Sequence, residues 1–500
     1  MPVRRNLLAG LANSVWTALL GLAVVPLYIR YLGLEAYGLI GFFATANAVL
    51  LLLDMGLAPT MTRELARTSA TGEMDQSRRL LHSLAYVYWA VAVVLGITIA
   101  GASSIIANGW LKAGGLTTET LKTAVALMGL VIACRWPVSV YQAALVGMQR
   151  LTVLAAVSLV MVTLGSVGAV AILAFVSPTV EAFFVWQAAV ALLHVTVMRS
   201  AAWRVIGRDS NTQFDIGQLK RIRNFSFGMS GVAMASIVLT QLDKVLLSRM
   251  LTLQDFGRYV LAGVVAAALA IVILPVFNTI FPRYTNMIAR GDMHALGRSY
   301  LQETQLFCAV LLPVALTIAV FAEDLLRVWT DNPELAVSVA PIASLLVIGS
   351  ALNGVMHFPY ALQIAYGSVK LPLFLVSGLA VLMVPATVVL TANFGAKGGA
   401  TAWLLINVIY LFSGAWLTHR RWLKGLASRW LFRCVLMPLA LSAAIVLLGR
   451  YWIDSHSLWT PLVRLVAAGM VLLLSILWLA ILTVKSGAWM TPFRADTGKA

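Results

Sequence analysis

Two tripeptides set in apolar surroundings carry the sharpest chemistry: Arg135-Trp136-Pro137 and His357-Phe358-Pro359. Each places a basic residue and an aromatic ahead of a proline in mid-run. Proline removes a helix hydrogen bond and kinks the chain. An Arg near the centre of a bilayer costs about 2.5–3.5 kcal/mol on insertion scales. Arg135 must therefore face water, a partner or an anionic ligand. One role is the cationic wall of a cavity. The other is a pair with a neighbouring helix's carboxylate or backbone carbonyls. His357, which can be neutral near pH 7, is the matching candidate.

Lys244 is the other cation inside an apolar run. Ser226, Ser230, Thr240, Gln241, Lys244 and Ser248 recur at three- and four-residue spacings, so one helix face is polar. Asp243 lies beside that face, and as sequence neighbours Asp243 and Lys244 do not stack as a helix pair would. Asn6, Gly10, Asn13, Thr17 and Gly21 make a similar small and polar stripe near the start. Either stripe can serve a cleft or close helix packing. Asp54 and Asp243 are the candidate carboxylates for coupling to H+ or Na+, and Asp54 can equally pair with a nearby Arg. Arg30 and Arg249 each close an apolar run. No Walker motif, metal-ligand cluster or cofactor signature is present. The three cysteines read as small apolar residues, and the remaining histidines fall mostly in connections.

The elements that position these residues follow from composition. The chain is 61% hydrophobic and 11% charged, against about 25% charged in soluble domains. Apolar runs of 18 residues or more recur, each long enough to cross roughly 30 Å of hydrocarbon as a helix. The runs are continuous rather than alternating, so a barrel is excluded. An all-α integral membrane protein of about fourteen spans is expected, from 7–29 to 462–484. The first apolar run is longer than a signal-peptide core and reads as a retained helix.

The net charge of +17 is in large part topological. The termini and even-numbered connections hold 25 of the 36 Lys and Arg, and the odd-numbered ones hold 9. This bias puts both termini in the cytoplasm, with some attraction to anionic membrane lipid and no call for nucleic acid.

The chain also repeats. Arg30-Tyr-Leu-Gly-Leu-Glu-Ala-Tyr-Gly38 returns as Arg249-Met-Leu-Thr-Leu-Gln-Asp-Phe-Gly257, 219 residues on. Gly147-Met-Gln-Arg150 returns as Gly367-Ser-Val-Lys370, and Trp186 as Trp403. Six spans per half make a parallel repeat, with any substrate site expected between the halves. The expected division is an N-lobe with linker (1–223), a C-lobe (224–425) and an appended hairpin with tail (426–500).

The stretches Tyr31–Gly41, Leu52-Leu-Asp-Met-Gly-Leu-Ala-Pro-Thr-Met-Thr-Arg63, Gln241-Leu-Asp-Lys-Val-Leu-Leu-Ser-Arg249 and Phe394-Gly-Ala-Lys-Gly-Gly-Ala400 resemble the polysaccharide transporter family. These are the Wzx-type O-antigen and exopolysaccharide flippases of the multidrug/oligosaccharidyl-lipid/polysaccharide exporter superfamily. The resemblance covers most of residues 1–420. It implies a V-shaped molecule of two six-helix lobes in the bacterial inner membrane. It further implies ion-driven alternating access that moves a polyprenyl-pyrophosphate-linked oligosaccharide outward, with a polysaccharide polymerase as a partner. The resemblance assigns the pyrophosphate to cavity cations, here Arg135 and Lys244, with Arg30, Arg249 and His357 behind them. The basic residues of the first span in the related lipid II flippases have no match, since none lies between Arg5 and Arg30. The competing functions are an ion-coupled multidrug or cation antiporter, which wants more intramembrane carboxylates, a membrane-embedded polymerase, which wants a long outer loop, and a scaffold using the last two spans. A transporter, not an enzyme, is expected.

The topology is checked with a reporter that is active only in the cytoplasm. Fusions after residue 223 and after 425 are expected to be active, and one after 335 inactive; activity after 335 would reverse the orientation.

Overall fold

In hydrocarbon a backbone must satisfy its own hydrogen bonds, and a helix does so within one segment. The computed structural model describes residues 2–54, 56–207, 213–217, 234, 237–456 and 459–486. These are helical almost throughout, and the one β-type pairing among them is an isolated bridge between Lys112 and Thr252. Ser226 and Ser230 of the expected polar face lie outside the described residues.

The chain forms two units, Met1–Gly257 and Arg258–Ala500. The first holds α1 (Pro2–Leu50), a 3-10 turn (Leu51–Asp54), α2 (Leu57–Thr71), α3 (Met74–Gly101), α4 (Ser103–Gly109), α5 (Thr118–Arg135), α6 (Val138–Gly147), α7 (Leu151–Phe175) and α8 (Val180–Ile206). It also holds α9 (residues 237–250) and the start of α10 (Leu253–Ala267). The second continues with α11 (Ala270–Ala289), α12 (Met293–Val320), α13 (Ala322–Thr330), α14 (Pro333–Val355), α15 (His357–Ala365) and α16 (Lys370–Trp422). It ends with α17 (Ala427–Arg429), a π-helical turn (Trp430–Leu436), α18 (Met437–Asp454) and α19 (Pro461–Ser486).

Among the described residues ten helices are long and apolar enough to cross a membrane, or eleven if α10 and α11, bent by 45°, form one span. The expected count of fourteen is not reproduced, for a physical reason. α1 has 49 residues and α16 has 53. At 1.5 Å per residue α16 would measure about 80 Å, far beyond the hydrocarbon thickness. Each is broken by one glycine, Gly33 at φ 83° and Gly395 at φ 58°, a region that only glycine visits cheaply. Each double helix therefore supplies two spans, and the glycines stand where the sequence puts short connections.

The repeat is visible in element order. α3 and α12 are both 28 residues long and begin 219 residues apart. A short helix follows each, α4 and α13. A longer helix comes next and breaks before a short one: α5 into α6, α14 into α15. Trp136 and Pro137 separate the first pair. Pro359 sits in the first turn of α15, where a missing N–H costs no helical bond.

Inside the first unit the two echoing stretches meet. A Cβ on Gly38 would overlap the Leu253 carbonyl and lie 3.2 Å from the Gly257 nitrogen. One on Gly257 would lie 2.5 Å from the Leu34 carbonyl oxygen. Glycine at both positions lets the backbones cross. The segment after α4 clasps both stretches. Glu35 accepts the Gly114 and Gly115 N–H groups at 2.5 and 2.9 Å, and the Leu253 N–H donates to the Lys112 carbonyl at 2.8 Å.

In the second unit the appended hairpin, α18 and α19, packs on α12 and α13. Phe321, Val446, Ile453 and Ala468 form the seam. A four-charge network locks one end: Asp324 accepts from Arg450 at 2.5 Å and from Arg464 at 3.3 Å, and Asp454 pairs with both arginines. Asp324 is 3% exposed, so its loss leaves two partly buried cations short of a counter-charge. Asp324→Ala is expected to destabilise the second unit by roughly 2–4 kcal/mol, read as a lower melting temperature in detergent. Asp454→Ala, at the exposed side of the network, is expected to cost far less.

Candidate functional site

A cavity of about 530 Å³ lies inside the first unit, a size typical of small-molecule sites. α1, α5, α6, α7 and α8 wall it. Its surface is largely apolar, with Val24, Phe43, Trp136, Met161 and Phe183 among the lining residues. Polar groups are few: Tyr28, Asn47, Ser139, Gln142, Ser166, Gln187 and His194. Among the described residues Arg135 is the one fully charged side chain in the lining.

The helix break delivers that charge. α5 ends at Arg135, two residues before Pro137. The guanidinium donates from Nη2 to Gln187 Oε1 at 2.7 Å and lies over the Phe43 ring, 5.4 Å from its centroid. Gln187 in turn donates to the Gly165 carbonyl at 3.2 Å, which fixes its oxygen toward Arg135. Phe43 is braced edge-on by Phe184, with ring centroids 5.5 Å apart. Among the described residues no carboxylate pairs with Arg135. The neighbours are neutral, so the positive charge stays uncompensated within low-dielectric walls, where an anion is attracted strongly.

Asp54 ends the 3-10 turn whose Leu51 lines the same cavity. Its carboxylate accepts the buried Tyr88 hydroxyl and the Ala58 N–H, so it tethers α3 to the start of α2. Tyr88 lies 6.2 Å from the Trp136 ring, which connects this tether to the break.

The other sequence candidates lie elsewhere. Lys244 donates to the Thr240 carbonyl at 3.0 Å and sits 3.9 Å from Asp243. The lysine folds back along its own helix, so it comes near Asp243 without the stacking of a pair one turn apart. Asp243 is 4% exposed. Arg249 lies over the Trp110 ring at 5.3 Å, and Arg30 is exposed on α1. None of these four lines the cavity.

His357 belongs to the second unit. It opens α15, with Nδ1 3.2 Å from the Asn353 carbonyl and its ring edge-on to Phe277. Side-chain pairing gives Arg135 a different counterpart. Gln187 of α8 reaches Arg135 of α5, and in the second unit Asn407 of α16 accepts from Asn353 of α14 at 2.8 Å. Gln187 and Asn407 stand 220 residues apart, Arg135 and Asn353 218. Asn353, an uncharged amide, thus occupies the place that Arg135 fills in the first unit.

The profile of the family described as polysaccharide biosynthesis protein matches residues 3–288, more than half of the chain. The chain belongs to this family. The succinoglycan biosynthesis transport protein ExoT of Rhizobium meliloti (strain 1021) is 25% identical over 268 residues, 51% of this chain and 53% of that protein. The chain thus spans about half the length of the curated relative it matches. The fold is similar to that of the lipid II flippase MurJ in its inward closed conformation, with a TM-score of 0.68 at 13% identity, covering 95% of this chain and 100% of that one. It is also similar to an inward-facing multidrug resistance MATE family transporter of the MOP superfamily, with a TM-score of 0.66 at 15% identity, covering 82% of this chain and 96% of that one. At such identities the likeness is one of fold. This member of the polysaccharide biosynthesis protein family is therefore a multi-pass membrane protein with a transporter architecture.

Sequence reasoning missed several lining groups of this family member. Gln187, Tyr28, Asn47 and His194 stand singly in apolar runs, without a spacing that groups them. His194 is an exception to the histidines that fall mostly in connections, since it lies in α8 against the cavity. The available signal was polarity itself, since an isolated polar residue inside a span is costly and tends to face a cavity or a partner.

Gln187→Leu is expected to leave the Arg135 guanidinium without its hydrogen bond and to cost about 1–3 kcal/mol. Adding Arg135→Leu is expected to recover part of that loss. A double-mutant cycle on melting temperature measures the coupling, and strict additivity would show that the pair does not interact.

Proposed function

We propose that the protein is a flippase that carries a polyprenyl-pyrophosphate-linked oligosaccharide outward across the bacterial inner membrane, for O-antigen, capsule or exopolysaccharide synthesis. Arg135 receives the pyrophosphate. One observation carries this reading: the cavity's one full charge is a cation held only by neutral groups within apolar walls. A diphosphate is the strong anion such a site suits, and the apolar lining suits the flanking prenyl chain.

Family membership and the transporter architecture support the reading, as does the likeness to a succinoglycan biosynthesis transport protein. In this reading two six-helix lobes alternate access under an H+ or Na+ gradient, both termini are cytoplasmic, and a polymerase consumes the product outside. Lys244, Arg30, Arg249 and His357 contact the anion at other stages of transit, and Asp54 or Asp243 takes the coupling ion. A cation antiporter is the weaker reading, since among the described residues no carboxylate lines the cavity.

Arg135→Ala is expected to lower the surface polysaccharide of a producing strain by about 10- to 100-fold, the worth of one charged hydrogen bond, with protein level unchanged. Arg135→Lys, which keeps the charge but not the fork, is expected to retain part of the output. Normal polysaccharide in Arg135→Ala would overturn the assignment.

A further inference from the structure

The joint between α16 and the appended hairpin carries a group of cations that the cavity does not use. Arg420, Arg421, Lys424, Arg429 and Arg433 fall within fourteen residues. All five are exposed. No Asp or Glu occurs between Glu334 and Asp454, and among the described residues none of the five is paired with a carboxylate. Elsewhere in this unit Arg283 takes Glu303, Arg327 takes Glu323, and Arg450 and Arg464 take Asp324 and Asp454. Of the acids on or beside α12, against which the joint packs, Glu303 is thus occupied and Asp292 accepts the Ala295 N–H as a helix cap.

The frame beneath these cations is fixed. Arg420 lies over the Trp416 ring at 5.1 Å and Arg421 over the Trp422 ring at 5.2 Å. Trp422 is itself stacked on Tyr366. Gly425, at φ 81°, turns the chain. On the far side of the turn Trp430 is fully buried, donates to Thr304 at 3.2 Å and packs on His419. Both arms are thereby pinned. Trp416 is 53% exposed and Phe432 63%, so apolar rings border the charges, as they do where a protein surface crosses from acyl chain to headgroup.

We propose that this joint binds the headgroup of an anionic phospholipid, its phosphate held by Arg420, Arg421 and Lys424, with Trp416 and Phe432 against the acyl chains. Charge complementarity decides the occupant: five cations without counter-charge, at the edge of an apolar surface, call for a phosphate that arrives with a hydrocarbon tail. The site seats the entry of the hairpin, so a bound lipid would stabilise the second unit.

The test uses the full-length protein with phosphatidylglycerol as the probe. Melting temperature and lipid retention are followed by titration in phosphatidylcholine mixed micelles, and native mass spectrometry counts the retained lipids. Wild type is expected to show a saturable gain with phosphatidylglycerol that inorganic phosphate does not reproduce. R420Q/R421Q/K424Q is expected to bind about tenfold more weakly or worse. R290Q/R298Q/K370Q removes the same charge at other exposed positions of this unit and is expected to bind as wild type does. Equal losses in the two triple variants would reduce the effect to diffuse surface charge and overturn the site. So would stabilisation by inorganic phosphate, or selective binding of a polyprenyl diphosphate with no response to phosphatidylglycerol.

Discussion

A guanidinium among neutral groups at the depth of an apolar bundle is the constraint on which the first unit turns. Charge in such surroundings is expensive unless it is solvated, paired or liganded. Here the protein supplies an amide and an aromatic face, which orient Arg135 without cancelling it. The local sequence serves that end. Pro137 ends the helical ladder so that Arg135 closes α5, Gln187 is aimed by the Gly165 carbonyl, and Phe43 is braced by Phe184.

The carboxylates show the opposite policy. Glu35 gathers the N–H groups of Gly114 and Gly115, Asp54 ties Tyr88 to the start of α2, and Asp324 is enclosed by two arginines. Each of these acids joins elements of the fold. Positive charge, in contrast, is left free in the cavity and at the exposed joint after α16. Under the proposed function this asymmetry helps, because carboxylates in the cavity lining would repel the anion that Arg135 attracts.

Much of this architecture was legible in the sequence because hydrophobic run length is a strong signal for helices in lipid. The 219-residue echo anticipated the matched order of α3 to α6 and α12 to α15. Arg135 stood out because an arginine in mid-run has few inexpensive explanations. The divisions of the longest helices were harder to read. Gly33 and Gly395 interrupt α1 and α16 through a single positive φ each, and one glycine among 37 does not declare its conformation. Nor did the sequence declare the Arg135–Gln187 contact. It joins residues 52 apart on two helices, and neither periodicity nor composition encodes which faces of separate helices meet.

The repeat sharpens the meaning of that contact. In both units the fourth-span and sixth-span helices share a side-chain hydrogen bond, Arg135 to Gln187 and Asn353 to Asn407. An amide pair at this position satisfies itself: donor meets acceptor, and Asn407 returns a bond to the Trp403 carbonyl. An arginine at the same position cannot be satisfied by one amide, since it brings five donors and a full charge. Donors and charge therefore remain for something that is not protein. The second unit shows that the helix pair can be closed without a charge, so its presence in the first unit is not a demand of packing. Confining it to one unit also bounds the affinity. Under the proposed function one fixed cation would hold the anion less tightly than two would, and a flippase must let go of what it carries.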